Sequence, residues 1–165
     1  MAISGKVWKY GDDVNTDVLF PGKYTYTIKD RSEMALHALE DLDPDFNKNA
    51  APGDIIVGGK NFGCGSSREQ AVICVKERGI AAIIAKSFAR IFYRNCLNEG
   101  LAIIVCPPAV SAIMNGDTVE IDFDSGRIVT AGGGVFNVPP YPEFVRGLIE
   151  DGGLIPHVKK SLGLH

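Results

Sequence analysis

The sequence predicts an α/β fold with a parallel βαβαβ core and β-rich ends, and two observations carry that reading. Between residues 54 and 106 three short runs of aliphatic and β-branched residues alternate with helix-length segments, and strands joined by such crossovers run parallel. Outside that stretch, residues 6–10 alternate as a strand and residues 118–123 and 127–131 flank the hairpin signal Asp124-Ser125-Gly126. A chain of 165 residues that is 45% hydrophobic and 22% charged can bury one substantial core, so one domain is expected over residues 1–165. A plain doubly wound sheet is the runner-up.

Taken in order, residues 6–10 alternate as a strand that Gly11-Asp12-Asp13 ends. Residues 17–22 run into a Pro21-Gly22 turn, after which residues 23–28 form an exposed loop or short strand. Met34, Ala35, Leu36, Ala38 and Leu39 behind a Ser32 cap predict a helix over residues 32–40. Residues 41–53 are acidic, contain Pro44 and Pro52, and read as a surface connection with little to bury. Residues 54–57 are a buried strand opening into the glycine-rich loop 58–65. Ser66 and Ser67 each precede Glu69 or Gln70 by three residues, a capping-box pattern that predicts a helix from there to Gly79 with Ala71, Val72 and Val75 inward. Residues 80–85 are the next strand, and Ser87 caps a helix whose packed face is Phe88, Ile91, Phe92 and Leu97. Gly100 ends that helix, and residues 101–106 form a third strand closed by Pro107-Pro108. A short helix over 109–115, a hairpin of residues 118–123 and 127–131 around Asp124-Ser125-Gly126, a strand within 132–138, and helices over 142–149 and 154–162 complete the chain.

Several function classes are excluded. No apolar run approaches the roughly 20 residues of a membrane span, and the first ten residues lack a basic region followed by an apolar one, so a cytoplasmic protein is expected. Cys64, Cys74, Cys96 and Cys106 form no C-x-x-C pair, and His37, His157 and His165 are scattered, so no metal site is expected in this chain. The net charge of −3 conceals seven basic against three acidic residues between Lys60 and Glu99, which leaves −7 on the remainder. A basic segment inside an acidic protein suits a small anion, or a solvated helix face, better than nucleic acid.

The glycine-rich loop Gly59-Lys60-Asn61-Phe62-Gly63-Cys64-Gly65-Ser66-Ser67-Arg68 lies between a strand and a helix, where backbone N–H groups face the crevice and can hold an anion. It lacks the third glycine of a dinucleotide fingerprint and the Gly-Lys-Ser/Thr of a P-loop. One reading makes Ser66 and Ser67 helix caps and pairs Arg68 with a surface carboxylate. Arg68, however, opposes the dipole of a first helical turn, which makes a carboxylate-bearing ligand the more natural reason for it. Cys64 as a nucleophile would need a histidine base that the sequence does not supply.

Asn15-Thr16-Asp17, Pro21-Gly22-Lys23-Tyr24, Asn61 to Glu69, Lys86-Ser87-Phe88-Ala89-Arg90-Ile91-Phe92-Tyr93-Arg94-Asn95 and Asn98-x-Gly100-Leu101 together resemble the small subunit of the isopropylmalate dehydratase and homoaconitase family, equivalent to the swivelling domain of aconitase. The resemblance implies a single swivelling β/β/α domain. It also implies a hydro-lyase subunit that isomerises a hydroxy di- or tricarboxylate by dehydration and rehydration. A large partner subunit would carry a [4Fe–4S] cluster as Lewis acid, this chain binding none. Ser66 would be the catalytic base, Asp17 would support proton transfer unless it merely caps the Pro21 turn, Ser67 would help cradle the oxyanion, and Arg68 would hold a substrate carboxylate bidentately.

The resemblance further implies that the loop Tyr24-Thr25-Tyr26-Thr27 sets specificity. Relatives acting on homoaconitate-like substrates tend to carry an arginine where Tyr26 stands, with Lys23 and Lys29 the nearest cations here. Thr25, Tyr26 and Thr27 offer an aromatic wall and methyl groups, which suit an alkyl substituent better than a third carboxylate. The expected substrate is therefore a branched alkyl malate, 3-isopropylmalate of leucine biosynthesis first, with 2,3-dimethylmalate or homoaconitate as alternatives. Tyr26 as an anchor on the partner subunit is the competing reading.

Overall fold

The computed structural model describes residues 1–164. In chain order the elements are β1 (Ala2–Lys9), α1 (Thr16–Leu19), α2 (Arg31–Ala35), α3 (Phe46–Asn49), β2 (Ile55–Gly58), α4 (Gln70–Glu77), β3 (Ala82–Ala85), α5 (Arg90–Glu99), β4 (Ala102–Val105), α6 (Pro107–Ala112), β5 (Thr118–Asp122), β6 (Arg127–Thr130), β7 (Val135–Asn137), α7 (Glu143–Glu150) and α8 (Leu154–Ser161).

The strands form one sheet in the order β4-β3-β2-β1-β5-β6-β7, with β1 to β4 parallel and β1, β5, β6 and β7 antiparallel. Successive parallel strands always step the same way, so crossovers of one hand all fall on one face. Accordingly Leu19, Met34, Phe46, Val72, Val75 and Phe92 from five helices share one core cluster with Ile56, Ile83 and Ile103. This rules out the doubly wound runner-up, in which helices cover both faces. The opposite set of side chains, Ile55, Val57, Ala82, Ile84, Ala102 and Ile104, packs instead with Val119, Ile121 and Ile128 of the antiparallel strands and with Ala109 and Val110 of α6. The alternation along β2, β3 and β4 is the period of a strand buried on both sides.

Curling the sheet over that second core brings its two ends together. The Tyr141 hydroxyl, beyond β7, accepts from Ile103 N of edge strand β4 at 2.8 Å and donates to Ile103 O, while its ring stacks 5.3 Å from Phe123. Burial pushes the phenol above its ordinary range. The same residues line a cavity of about 250 Å³ with Val105, Ile121 and Val138.

Several boundaries differ from those expected. β1 begins at Ala2 because it has two partners, β5 along Ala2–Lys6 and β2 along Val7–Lys9. A Cβ on Gly5 in its middle would lie 2.0 Å from Gly53 O, so the glycine permits a close backbone approach. The second helix is capped by the Asp30 carboxylate, which accepts from Glu33 N at 2.9 Å, and it ends at Ala35 rather than at residue 40. The polar stretch 41–53 contains α3, whose Phe46 is fully buried edge-on to Trp8 at 5.2 Å. Trp8 Nε1 in turn donates to buried Asp54 at 2.8 Å. Pro107 and Pro108 open α6 rather than only closing β4, since a proline at the first helical position gives up an N–H that has no partner anyway. Ser87 does not cap α5, whose N-cap is Ala89; its hydroxyl accepts from Asn61 N at 2.8 Å. Ile91 is 51% exposed and leaves the packed face to Phe92 and Cys96.

Tyr141→Phe should lower unfolding stability by about 1–3 kcal/mol, because it leaves the Ile103 N–H on a sheet edge without its acceptor. Urea denaturation checks this; a midpoint unchanged from wild type would show that Tyr141 does not close the sheet.

Candidate active site

The loops that follow β1, β2 and β3 all lie at the carboxyl end of the parallel strands, where open α/β sheets place their ligands. They are stitched together by backbone bonds: Gly63 N to Val14 O and Thr16 N to Cys64 O, each 2.8 Å, Phe62 N to Ser87 O at 3.0 Å and Ala89 N to Phe62 O at 2.9 Å. Two glycines make this possible. Gly63 (φ +81°) carries the backbone against the Phe92 ring, which a Cβ would meet at 2.1 Å, and Gly65 (φ +102°) passes the Asn15 side chain, which a Cβ would meet at 2.5 Å.

Beyond Gly65 the chain projects Ser66 and Ser67 as an exposed, non-helical turn, and α4 begins only at Gln70 with no side-chain cap. The two serines therefore do not cap the helix as expected. Ser66 Oγ lies 2.8 Å from Arg68 Nε, which donates to it, and 3.2 Å from Thr16 Oγ1. The positive charge beside Ser66 is thus the guanidinium, in place of the helix N-terminus that the capping pattern suggested. Ser67 is held through its carbonyl, which accepts from Asn95 Nδ2 of α5 at 3.1 Å.

Arg68 is the hub. Its Nη1 donates to Thr25 Oγ1 at 2.5 Å and its Nη2 pairs with the Asp17 carboxylate, so each nitrogen of the fork serves a different side chain. The Arg68 side chain is 18% exposed, while that of Asp17 is 62% exposed. Asp17 faces this arginine rather than capping the Pro21 turn, and its own N–H donates to Asn15 Oδ1 at 2.8 Å as α1 begins. Thr16, beside it, is 1% exposed and had been given no role.

Of the loop expected to set specificity, only Thr25 reaches the cluster. Tyr26 is 86% exposed, and Thr27 is exposed with its hydroxyl donating to Tyr24 O at 3.4 Å. Tyr24 anchors this loop: its hydroxyl donates to Glu40 Oε1 at 3.0 Å, its ring lies 4.0 Å from that of His37, and Lys23 Nζ is 3.2 Å from Glu40. The His37 ring nitrogen, 2.5 Å from Glu40, holds that carboxyl below its ordinary range.

Asp17, Thr25, Ser66 and Arg68 are thus brought together, Ser67 stands beside them, and Tyr26 and Thr27 are exposed. Sequence reading missed Thr16, Asn15 and Asn95 as supports of this cluster. Asn15 and Thr16 adjoin Asp17 within the Asn-Thr-Asp triplet, the one signal that could have drawn attention to them. Cys64 has no histidine partner among the described residues, since His37 pairs with Glu40 and His157 with Asp151. Burial pushes the Cys74 and Cys96 thiols up, and no group of three or more His, Cys, Asp or Glu among the described residues is placed to hold a metal ion.

Residues 16–108, which contain every member of the cluster except Asn15, match the model of the aconitase C-terminal domain. The chain belongs to that family. It is 48% identical over 165 residues to the 3-isopropylmalate dehydratase small subunit of Thermodesulfovibrio yellowstonii, covering 99% of this chain and 98% of that one. It is 50% identical over 162 residues to the 2,3-dimethylmalate dehydratase small subunit of Eubacterium barkeri, covering 98% and 99%. The crystal structure of 3-isopropylmalate dehydratase from Methanocaldococcus jannaschii superposes with a TM-score of 0.91 at 46% identity, over 98% of this chain and 96% of that one. The chain is a hydro-lyase subunit of the aconitase type, and no helix among its described residues is long and apolar enough to cross a membrane.

Proposed function

We propose that this chain, as one swivelling domain over residues 1–165, is the small subunit of a cytoplasmic dehydratase that isomerises an alkyl-substituted malate, 3-isopropylmalate of leucine biosynthesis first. The observation that carries the reading is the convergence of Ser66, Asp17 and Thr25 on the fork of Arg68. The four free cysteines fit a reducing compartment. The 50% identity to a dimethylmalate dehydratase subunit supports 2,3-dimethylmalate as the second reading, because both substrates present alkyl groups where a tricarboxylate has charge.

A large partner subunit would hold the [4Fe–4S] cluster, which supplies Lewis acidity for the departing hydroxyl. This chain's residues do the rest. Ser66 Oγ takes the proton from the carbon beside a substrate carboxylate, and the electron pair of that C–H bond becomes the new double bond. A serine alkoxide is too basic to persist unaided, and the Arg68 Nε–H at 2.8 Å is placed to stabilise it. Arg68 meets the substrate carboxylate with the nitrogens now engaged by Thr25 and Asp17. Asp17, the more exposed partner, yields its place and is freed to support proton transfer, while the guanidinium stays beside Ser66 and keeps the scissile C–H against Oγ. Ser67 adds to the cradle of the developing oxyanion. When the product is rehydrated, Ser66 returns the proton.

With the large subunit present, Ser66→Ala should lower kcat by at least about a hundredfold with KM little changed, since the lost interaction belongs to the transition state. A fall of less than tenfold under steady-state assay with a panel of malate derivatives would remove Ser66 as the base.

Selectivity resides in the loop around Tyr26, whose exposure leaves it free to close the pocket from the side this chain does not cover. Tyr26→Arg supplies a counter-charge for a third carboxylate and removes an apolar wall. The kcat/KM ratio of homoaconitate to isopropylmalate should rise at least about tenfold. An unchanged ratio with weakened subunit association would make Tyr26 a docking residue.

A further inference from the structure

We propose that Thr16 is a positioning residue for Ser66, a buried hydroxyl rotor that serves both protonation states of the base; the proposal rests on the reading of Ser66 as that base. Thr16 is 1% exposed, its N–H is fixed on Cys64 O at 2.8 Å, and its Oγ1 stands 3.2 Å from two acceptors of one residue, the Ser66 carbonyl oxygen and Ser66 Oγ. A threonine has one O–H to give and can accept in return. Burial keeps water from competing for it.

These counts allow a consistent arrangement for each state. With Ser66 neutral, its O–H donates to Thr16 Oγ1, the Thr16 O–H donates to the Ser66 carbonyl, and Arg68 Nε–H donates to Ser66 Oγ. With Ser66 ionised, the Thr16 O–H turns onto the alkoxide and joins Arg68 Nε–H as a second donor. A rotation of one hydroxyl thus follows the charge. The carbonyl it releases belongs to an exposed residue and can be served by water. The 3.2 Å separation is long for O–H···O, as expected of a bond that tightens when charge develops.

Thr16→Val keeps the shape and removes the rotor, whereas Thr16→Ser keeps the hydroxyl and removes a methyl group. Both are assayed in complex with the large subunit beside Ser66→Ala, with thermal unfolding of each small subunit as a folding control. Thr16→Val should lower kcat by about 10–100-fold at nearly constant KM. It should also raise the primary deuterium isotope effect on kcat for substrate labelled at the carbon that loses its proton, because proton abstraction then limits turnover. Thr16→Ser should stay within about threefold of wild type on both counts. If Thr16→Val does not fold, Thr16→Ala carries the same expectations. A hydroxyl-free variant with wild-type kcat, or with a raised KM alone, overturns the proposal while leaving Ser66→Ala inactive and the base intact. Equal damage from Val and Ser with an unchanged isotope effect makes Thr16 a packing residue and overturns it too. An active Ser66→Ala enzyme instead removes the base reading on which the rotor depends.

Discussion

The guanidinium of Arg68 holds this site together. Its three nitrogens engage Ser66 two residues before it, Thr25 in the loop after the first helix, and Asp17 at the start of that helix. A planar fork with donors in fixed directions can do this and a lysine ammonium cannot, because the geometry of the three partners is set by the plane. On the proposed reading, the charge that would fix a substrate carboxylate also lies against Ser66 Oγ, so one side chain would couple binding to proton abstraction.

The fold explains why these three segments meet. Parallel strands stepping in one direction leave their carboxyl ends side by side, and the loop after β2 is clamped between the loops after β1 and β3 by backbone hydrogen bonds. Gly63 and Gly65 let that loop approach Phe92 and Asn15 more closely than any side chain would permit. Ser66 and Arg68 emerge from a rigid scaffold. The loop carrying Thr25 is tied down separately, by Tyr24 and Lys23 on Glu40, whose ionised form His37 favours.

Much of this was legible in the sequence. Residues 54–57, 80–85 and 101–106 are apolar on both alternating faces, a pattern that requires cover on both sides, and the helix-length spacings between them dictate parallel strands. The Gly63 to Arg68 run suits a structural turn as well as a site, and it was Arg68, set against the dipole of the expected helix, that favoured a ligand. What stayed hidden depended on partners distant in sequence. The serines of a capping-box pattern have two possible uses, and only the tertiary contacts of Ser66 with Thr16 and Arg68 reveal that neither serine caps α4. Phe46 sits in a polar stretch that hides a helix, since its burial is decided by Trp8. Asp30 rather than Ser32 caps α2, two acceptors two residues apart that composition cannot rank. Thr16 looks like any threonine opening a short helix until Ser66 is placed beside it.

The central claim is that Arg68 Nε–H is held on Ser66 Oγ, and arginine side-chain NMR on the ¹⁵N-labelled chain reads that bond directly. The account predicts a distinct Arg68 Nε–H resonance in slow exchange with solvent, shifted and speeded in exchange when Ser66 is replaced by alanine, while exposed Arg90 behaves alike in both proteins. An Arg68 Nε–H that exchanges as fast as that of Arg90 in the wild-type chain, and is indifferent to Ser66→Ala, would contradict it.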